Sequence, residues 1–113
     1  MTRSDTKRLN DIRRMCLIVA DLVERGRSTV EADEALWLAL ERAIEIAGEA
    51  ASHLGAGTRS RFPEAEWREL VAVRVILAHA YHRVDLNLLW DIASRDLPSL
   101  AKLLGPVAER DEI

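Results

Sequence analysis

Apolar residues in the first half of the chain recur at alternating spacings of three and four, the pattern of an amphipathic helix. Because an α-helix completes a turn in about 3.6 residues, this spacing gathers the apolar side chains on one face. The pattern predicts a first helix over residues 5–25, ended by Gly26, and a second that begins near Ser28 and ends at the glycine-containing segment 55–57. Ser28, followed three residues later by Glu31, fits a capping box that would start the second helix.

The second half of the chain continues the helical pattern after a short polar loop predicted over residues 58–62. Pro63 suits the first turn of a helix and the carboxylates that follow favour its positive dipole end, so a third helix is predicted over residues 64–81. A fourth helix follows Asp85, whose side chain can cap it, and a short fifth piece starts at Pro98. No alternating strand pattern occurs in the sequence, so we predict an all-α, up-and-down bundle of four to five helices.

Length and composition are those of an ordinary globular domain. The 113 residues are 49% hydrophobic and 31% charged, which predicts one domain over residues 1–113 with a disordered tail at about 108–113. A net charge of −3 argues against a general nucleic-acid coat, and we expect no DNA partner. No apolar run reaches the roughly 18 residues that span a bilayer, so we expect no membrane partner and a cytoplasmic location. Cys16, the one cysteine, is predicted to be a small buried hydrophobe.

The polar and aromatic residues outside the third helix are expected to have structural roles and not catalytic ones. One cluster alternates basic and acidic residues along the first helix, which predicts an exposed, salt-bridged face; its members are Asp5, Lys7, Arg8, Asp11, Arg13 and Arg14. Three arginines could extend a phosphate-binding surface, although solvated side chains are the better interpretation; they are Arg59, Arg61 and Arg68. His53 stands alone, and no zinc spacing can be assembled. The three tryptophans could pack in the core or at a dimer interface, and we expect the core.

The third predicted helix concentrates unlike polar groups at its end. Its apolar face is interrupted by Arg74, at a position where the pattern would otherwise continue apolar. At about 100° per residue, Tyr81 falls within about 20° of Arg74 on the helical wheel, His82 at about 80° and His79 at about 140°. The four side chains therefore span one broad side of the end of this helix.

The order Arg, four residues, His, one residue, Tyr resembles the Arg-x-x-x-x-His-x-Tyr motif of HepT-type toxins in the HEPN superfamily. Residues 43–51, with Gly48-Glu49-Ala50, are similar to the Gly-Glu-Ala segment of the family's second helix. Residues 63–67 resemble the Pro-x-x-x-Trp opening of its third helix, and residues 81–90 also fit the family pattern. In the family's order and spacing, the resemblance covers about residues 5–104.

The resemblance implies a homodimer in which two copies of the motif helix face each other across a two-fold axis and form one cleft. It also implies a metal-independent endoribonuclease without a cofactor, the toxin of a toxin–antitoxin pair. Arg74 would hold the scissile phosphate of the RNA, since a guanidinium presents a planar fork of donors. His79 would accept a proton from the ribose 2′-hydroxyl or deliver one to the leaving 5′-oxygen. The partner, a minimal nucleotidyltransferase antitoxin, would silence the toxin by AMPylation of Tyr81.

The chain departs from the family pattern beside the motif arginine. Active members usually carry a polar residue directly after it, and this chain has Val75. His82, between Arg74 and His79 on the helical wheel, is an auxiliary candidate that would restore a polar group; a solvated histidine at a helix C-terminus is the alternative. Val75 also motivates a second hypothesis, a non-catalytic subunit that binds a nucleotide or docks the nucleotidyltransferase. A helical dimer that only scaffolds other proteins is the third.

Overall fold

A computed structural model of the chain describes residues 2–79 and 85–106, and every regular element in these ranges is helical. The elements are α1 (Arg3–Glu24), α2 (Arg27–Ala32), α3 (Glu34–Ser52), α4 (Ala56–Ser60), α5 (Trp67–Ala78), α6 (Leu86–Asp91), a π-turn (Ile92–Asp96) and α7 (Leu97–Leu104). This architecture confirms the prediction of an all-α bundle. None of the helices in the described ranges combines the length and apolar character that crossing a bilayer requires.

The centre of the bundle is α3, which packs against α1 on one side and against α5 on another. Arg8 Nη1 donates a hydrogen bond to the carbonyl oxygen of His53 (3.2 Å), so the start of α1 meets the end of α3 and the two helices are antiparallel. The π-turn and α7 also pack against α1. Trp37 and Trp67 are buried, as predicted, and Trp90 is half-buried. The apolar faces meet in one core, whose largest fully buried side chains are Leu9, Ile12, Val19, Val30, Trp37, Leu40, Ile44, Leu89 and Leu97.

The second predicted helix is divided in two, which the sequence pattern did not indicate. Gly26, with φ of 93°, leads into α2, and Asp33 separates α2 from α3. Asp33 Oδ1 accepts hydrogen bonds from the backbone N–H groups of Ala35 (2.9 Å) and Leu36 (3.3 Å), so it caps α3. The predicted Ser28 cap is therefore wrong, because Ser28 lies inside α2. A carboxylate is the stronger acceptor for the first amides of the longer helix, since it also complements the helix dipole.

The third predicted helix begins later than the sequence indicated. Residues 61–66 form turns that include Pro63, and α5 starts at Trp67. The Trp67 indole Nε1 donates to the carbonyl oxygens of Arg59 (3.3 Å) and Phe62 (3.2 Å), which ties this connection to the first turn of α5. The short helix α4 occupies part of the segment predicted as a polar loop, so that prediction is wrong. The tertiary contacts of the Trp67 indole set the start of α5. Local helix propensity does not predict such contacts.

The C-terminal helix runs through Pro98 and does not start a separate piece there. Asp85 Oδ1 accepts a hydrogen bond from the backbone N–H of Leu88 (3.0 Å) and caps α6, as predicted. Helix α6 then passes through the π-turn into α7, with Pro98 in the first turn of α7. Proline lacks an N–H and its ring collides with the carbonyl four residues earlier in an α-helix; the wider π-turn accommodates both. The predicted tail at 108–113 lies outside the described residues.

A buried carboxylate ties the start of α1 to the turn that follows α3. Asp5 is 4% exposed and accepts hydrogen bonds from Thr58 Oγ1 (2.6 Å), the backbone N–H of Gly55 (3.1 Å) and Arg8 Nη1 (3.1 Å). The bond from Thr58 first, and then those from Gly55 and Arg8, outweigh the effect of burial and hold the pKa of Asp5 below its ordinary value. Because Arg8 also donates to the His53 carbonyl, the same network fixes the turn that carries His53.

We expect Asp5→Asn to lower the free energy of unfolding by about 1–3 kcal/mol at neutral pH, because it removes a charged acceptor from these donors. A carboxyl group with a lowered native pKa stabilises the fold fully above its unfolded-state pKa of about 3.9, and this effect is lost as the pH falls through the native value. The difference between variant and wild type in urea unfolding should therefore shrink as the pH falls below about 4. Asp11→Asn, which removes the ion pair of Asp11 with Arg14 (2.6 Å) on the surface of α1, should change stability by less than about 0.5 kcal/mol.

Candidate functional site

Arg74 lies where α5 contacts α3, at the point where it interrupts the apolar face of α5. Its side chain is 29% exposed, and Nη1 forms an ion pair with Glu49 Oε2 at 2.9 Å. The Nε atom is buried and has no hydrogen-bond partner within residues 2–79 and 85–106. The guanidinium is thus anchored on α3 while part of its surface stays open to solvent, where its remaining donors suit an anion.

The close approach of α3 and α5 at this point depends on Gly48. A Cβ atom at position 48 would lie 2.6 Å from Arg74 Cβ and 2.7 Å from the backbone carbonyl oxygen of Leu70. Real Cβ atoms essentially never come this close to another heavy atom. Gly48 therefore lets the backbone of α5 rest directly on α3, which brings Arg74 beside Glu49.

Glu49 connects two side chains through one carboxylate. Its Oε2 binds Arg74, and its Oε1 lies 3.0 Å from Nε2 of His53, one turn further along α3. The hydrogen bond from His53 first, and then the charge of Arg74, hold the pKa of Glu49 below its ordinary value. Both Glu49 and His53 are exposed, at 51% and 57% of their side-chain surface. The structure therefore assembles a polar cluster at the surface, which we call the Arg74–Glu49–His53 cluster.

The interpretation of His53 as an isolated histidine is wrong. Glu49 and His53 are four residues apart, and residues at that spacing are neighbours on a helix, so the sequence contained a signal for this contact. The contact of Glu49 with Arg74 joins two different helices. The spacing of residues along one helix cannot indicate a contact between two helices.

His79 is the residue that caps the C-terminus of α5, and it is exposed. Its Nδ1 lies 2.9 Å from the carbonyl oxygen of Val75, which can only accept, so Nδ1 carries the hydrogen and donates it. Nε2 is then the ring atom that takes up a proton. On the helical wheel His79 lies about 140° from Arg74, at the opposite edge of the broad side that the motif residues span. Tyr81 and His82, the other predicted site residues, lie outside the described residues.

Neither a metal-ligand cluster nor a reactive thiol is found in the part of the chain that the structure describes. No group of three or more histidine, cysteine, aspartate or glutamate side chains within residues 2–79 and 85–106 could hold a metal ion. Cys16 is 5% exposed, and burial raises the pKa of its thiol to about 11. The thiol is therefore protonated at neutral pH and packs as a small hydrophobe, which confirms the prediction for Cys16.

Several other basic residues singled out in the sequence have structural partners. Arg59 Nη2 donates to the carbonyl oxygen of Ala51 (2.9 Å) near the end of α3, which engages part of this guanidinium in the fold. Arg8 and Arg14 form ion pairs with acidic residues of α1, as predicted, but the prediction of an exposed face is wrong for Asp5, the buried partner of Arg8. Arg13 differs from the prediction, because its guanidinium donates to the last carbonyl of α7 at 3.0 and 2.6 Å.

A groove of about 670 Å³ lies between α5 and the helix formed by α6, the π-turn and α7. Its lining includes no member of the Arg74–Glu49–His53 cluster and does not include His79. Three of its apolar side chains are exposed, namely Ile76 (48%), Leu88 (39%) and Leu103 (36%). The groove is therefore an apolar surface apart from the polar cluster.

Comparison with known proteins indicates one family. A family model described as ribonuclease HepT-like matches residues 8–107. The chain is 42% identical over 64 residues to a Methanocaldococcus jannaschii protein named as a candidate RNase, a match that covers 57% of this chain and 59% of that protein. It is 40% identical over 68 residues to a Thermococcus cleftensis protein named as a probable ribonuclease HepT, covering 60% of this chain and 62% of that one.

A third relative carries the similar segment in a longer protein. It is a Methanocaldococcus jannaschii protein named as a gamma-glutamylcyclotransferase and candidate RNase, 35% identical over 71 residues that cover 63% of this chain and 32% of that protein. The chain therefore spans about three fifths of the first two relatives and about a third of the third. No solved structure matches the chain.

Proposed function

This chain belongs to the HepT-like ribonuclease family, and we propose that it is a metal-independent endoribonuclease, the toxin of a pair whose antitoxin is a minimal nucleotidyltransferase. The observation that supports this activity is the position of Arg74. Its guanidinium is anchored by Glu49 at 2.9 Å, stays partly open to solvent and lies on the same helix as the exposed imidazole of His79. A fixed guanidinium binds a phosphodiester through two parallel hydrogen bonds, which suits an RNA substrate.

The proposed reaction cleaves RNA by attack of a ribose 2′-oxygen on the adjacent phosphorus. A base removes the proton of the 2′-hydroxyl as the new P–O bond forms. The bond from phosphorus to the 5′-oxygen breaks, and an acid protonates that oxygen, so the products are a 2′,3′-cyclic phosphate and a 5′-hydroxyl. Arg74 would stabilise the charge that develops on the non-bridging oxygens, and His79, through Nε2, would be the base or the acid.

We propose that the site is completed in a homodimer. Arg74 and His79 are about 140° apart on α5, so the imidazole of a second copy can reach the phosphate held by Arg74 of the first. Helix α5 offers an apolar surface for this contact, since Val75 and Ile76 are 45% and 48% exposed. Two arginines and two imidazoles would then share one cleft, one imidazole acting as base and its symmetry mate as acid. Light scattering should give twice the mass of one chain; a monomer would remove the composite cleft.

The direct test compares the wild-type chain with His79→Ala. Purified wild-type protein should cleave a labelled RNA pool in the presence of EDTA, and the substitution should lower the rate by about 10²–10⁴-fold. Expression of the wild type should arrest growth, while His79→Ala should not. Because His79 is exposed and its ring bonds only to its own helix among the described contacts, the melting temperature should not change. Equal growth and intact RNA with both proteins would remove the proposal.

We also propose that Tyr81 is the regulatory residue. Its phenol oxygen would attack the α-phosphorus of ATP in the active site of the nucleotidyltransferase, lose its proton and release pyrophosphate. The added AMP would bring negative charge and bulk close to His79, and so would exclude RNA. Intact-mass measurement after co-expression with a nucleotidyltransferase encoded beside this chain should show AMP additions on the wild type and none on Tyr81→Phe. Equal additions on both proteins would place the modification elsewhere.

One observation favours a second function. Val75, directly after Arg74, is apolar and exposed, where active family members usually carry a polar residue. A non-catalytic subunit that binds a nucleotide, or that docks the nucleotidyltransferase, would need Arg74 but no acid or base. In that case purified protein would bind ATP or its partner, Arg74→Ala would weaken this binding, and RNA would remain uncut.

A further inference from the structure

His53 is a second imidazole beside Arg74, and the proposed reaction does not yet use it. Both side chains bind the carboxylate of Glu49, His53 Nε2 at 3.0 Å from Oε1 and Arg74 Nη1 at 2.9 Å from Oε2. Carboxylate C–O bonds of about 1.25 Å place the two oxygens about 2.2 Å apart. The two nitrogens are therefore at most about 8 Å from each other. The His53 ring and the Arg74 guanidinium are thus held on one carboxylate, close enough for one RNA strand to contact both.

We propose that His53 and Glu49 belong to the phosphodiester site, His53 as the base on the same protomer as Arg74 and Glu49 as the positioning residue for both. The inference rests on the proposed ribonuclease function. Glu49 Oε1 accepts and does not donate, so His53 Nε2 carries the hydrogen of their bond. Nδ1 is then the ring atom that takes the proton of the ribose 2′-hydroxyl, so His53 replaces one of the two His79 imidazoles as the base, and His79 gives a proton to the leaving 5′-oxygen. A carboxylate that fixes the tautomer of a catalytic imidazole acts in this way in hydrolases.

The position of His53 in the fold suits this role. Its backbone is fixed, because its carbonyl oxygen accepts a hydrogen bond from Arg8 Nη1 at 3.2 Å and Arg8 is in turn bound to the buried Asp5. Its ring is 57% exposed, which leaves room for RNA. Charged groups of three helices are linked to His53: Glu49 of α3 binds its ring, Arg74 of α5 binds Glu49, and Arg8 of α1 binds its backbone carbonyl. In this arrangement Glu49 orients the His53 ring, and Arg74 would bind the phosphate.

The test measures RNA cleavage by the purified full chain as a function of pH. His53→Gln retains an amide N–H that can donate to Glu49 but cannot take up the proton of the 2′-hydroxyl. We expect kcat to fall about 10²-fold and the acidic limb of the kcat profile to disappear, with KM and the melting temperature unchanged. Glu49→Gln should lower kcat/KM about 10-fold, since it weakens the hold on both side chains. Glu45→Gln, which removes an ion pair with Arg42 (3.3 Å) one turn earlier on α3, is the matched control and should behave as the wild type.

The outcomes separate this inference from the proposed function. If the wild type cleaves RNA, His79→Ala does not, and His53→Gln keeps the wild-type rate and pH profile, the inference is overturned and the proposed function stands. If His53→Gln is slower only because its melting temperature falls, with the pH profile unchanged, His53 supports the turn and is not the base, which also overturns the inference. If the wild type leaves RNA intact, both the proposed function and this inference are overturned.

Discussion

Arg74→Ala should lower the rate of RNA cleavage by about 10³-fold, and Arg74→Lys by about 10²-fold. Alanine removes the positive charge that we propose binds the phosphate. Lysine keeps the charge but lacks the planar fork with which one guanidinium binds Glu49, at 2.9 Å, and a phosphate at the same time. Single-turnover cleavage of a labelled RNA pool at saturating protein is the measurement, because it reports the chemical step apart from binding and product release.

The control for this prediction is another surface arginine, Arg25, at the C-terminal end of α1. It pairs with Asp21 at 3.6 Å, and Arg25→Ala should keep the wild-type rate. The stability of Arg74→Ala should change by no more than about 1 kcal/mol, because its partner Glu49 is 51% exposed and the lost ion pair is near the surface. A wild-type cleavage rate in Arg74→Lys would contradict the proposal that the planar guanidinium binds Glu49 and the phosphate at the same time.

Gly48→Ala should destabilise the bundle by about 2 kcal/mol and lower RNA cleavage as well. Alanine normally stabilises a helix interior by about 1 kcal/mol relative to glycine. Here the new Cβ would lie 2.6 Å from Arg74 Cβ and 2.7 Å from the Leu70 carbonyl oxygen, a backbone atom that cannot rotate away. Overpacking costs about 1–3 kcal/mol and more where backbone must move, so it exceeds the gain in helix propensity. For a chain of this size the melting temperature should fall by about 8 °C.

The matched control for Gly48 is Gly57 in α4. A Cβ atom at position 57 meets no heavy atom within 4 Å, so Gly57→Ala should melt at the wild-type temperature or slightly above it. The loss of activity in Gly48→Ala has its own cause, because separating α3 from α5 withdraws Arg74 from Glu49. An unchanged melting temperature in Gly48→Ala would contradict the direct contact of the two helices.

Long helices were predictable from the sequence because their signal is repeated many times. The first helix was predicted over residues 5–25 and is found at Arg3–Glu24, and the cap at Asp85 was predicted correctly. Short elements were not predictable in this way. Helices α2 and α4 contain six and five residues, so neither repeats the apolar spacing often enough to be distinguished from a turn. Ser28 and Asp33 are both good caps, and local chemistry does not decide between them.

The candidate site, too, was predictable from the sequence only in part. The spacing of the motif was sufficient to single out Arg74 and His79, and the roles given to them, like those of Tyr81 and His82, stay predictions. The spacing within α3 could have indicated the contact of Glu49 with His53, but no spacing indicated that Arg74 lies beside Glu49. The contact of Arg74 with Glu49 exists because Gly48 has no side chain at the point where α5 crosses α3.

The sequence by itself determined the all-helical class, the faces that form the core and the family, since each depends on spacings within one segment of chain. Only the tertiary structure decided which polar side chains of different helices share a carboxylate. That choice depends on the distance between two helix backbones, and the packing of the whole core sets this distance.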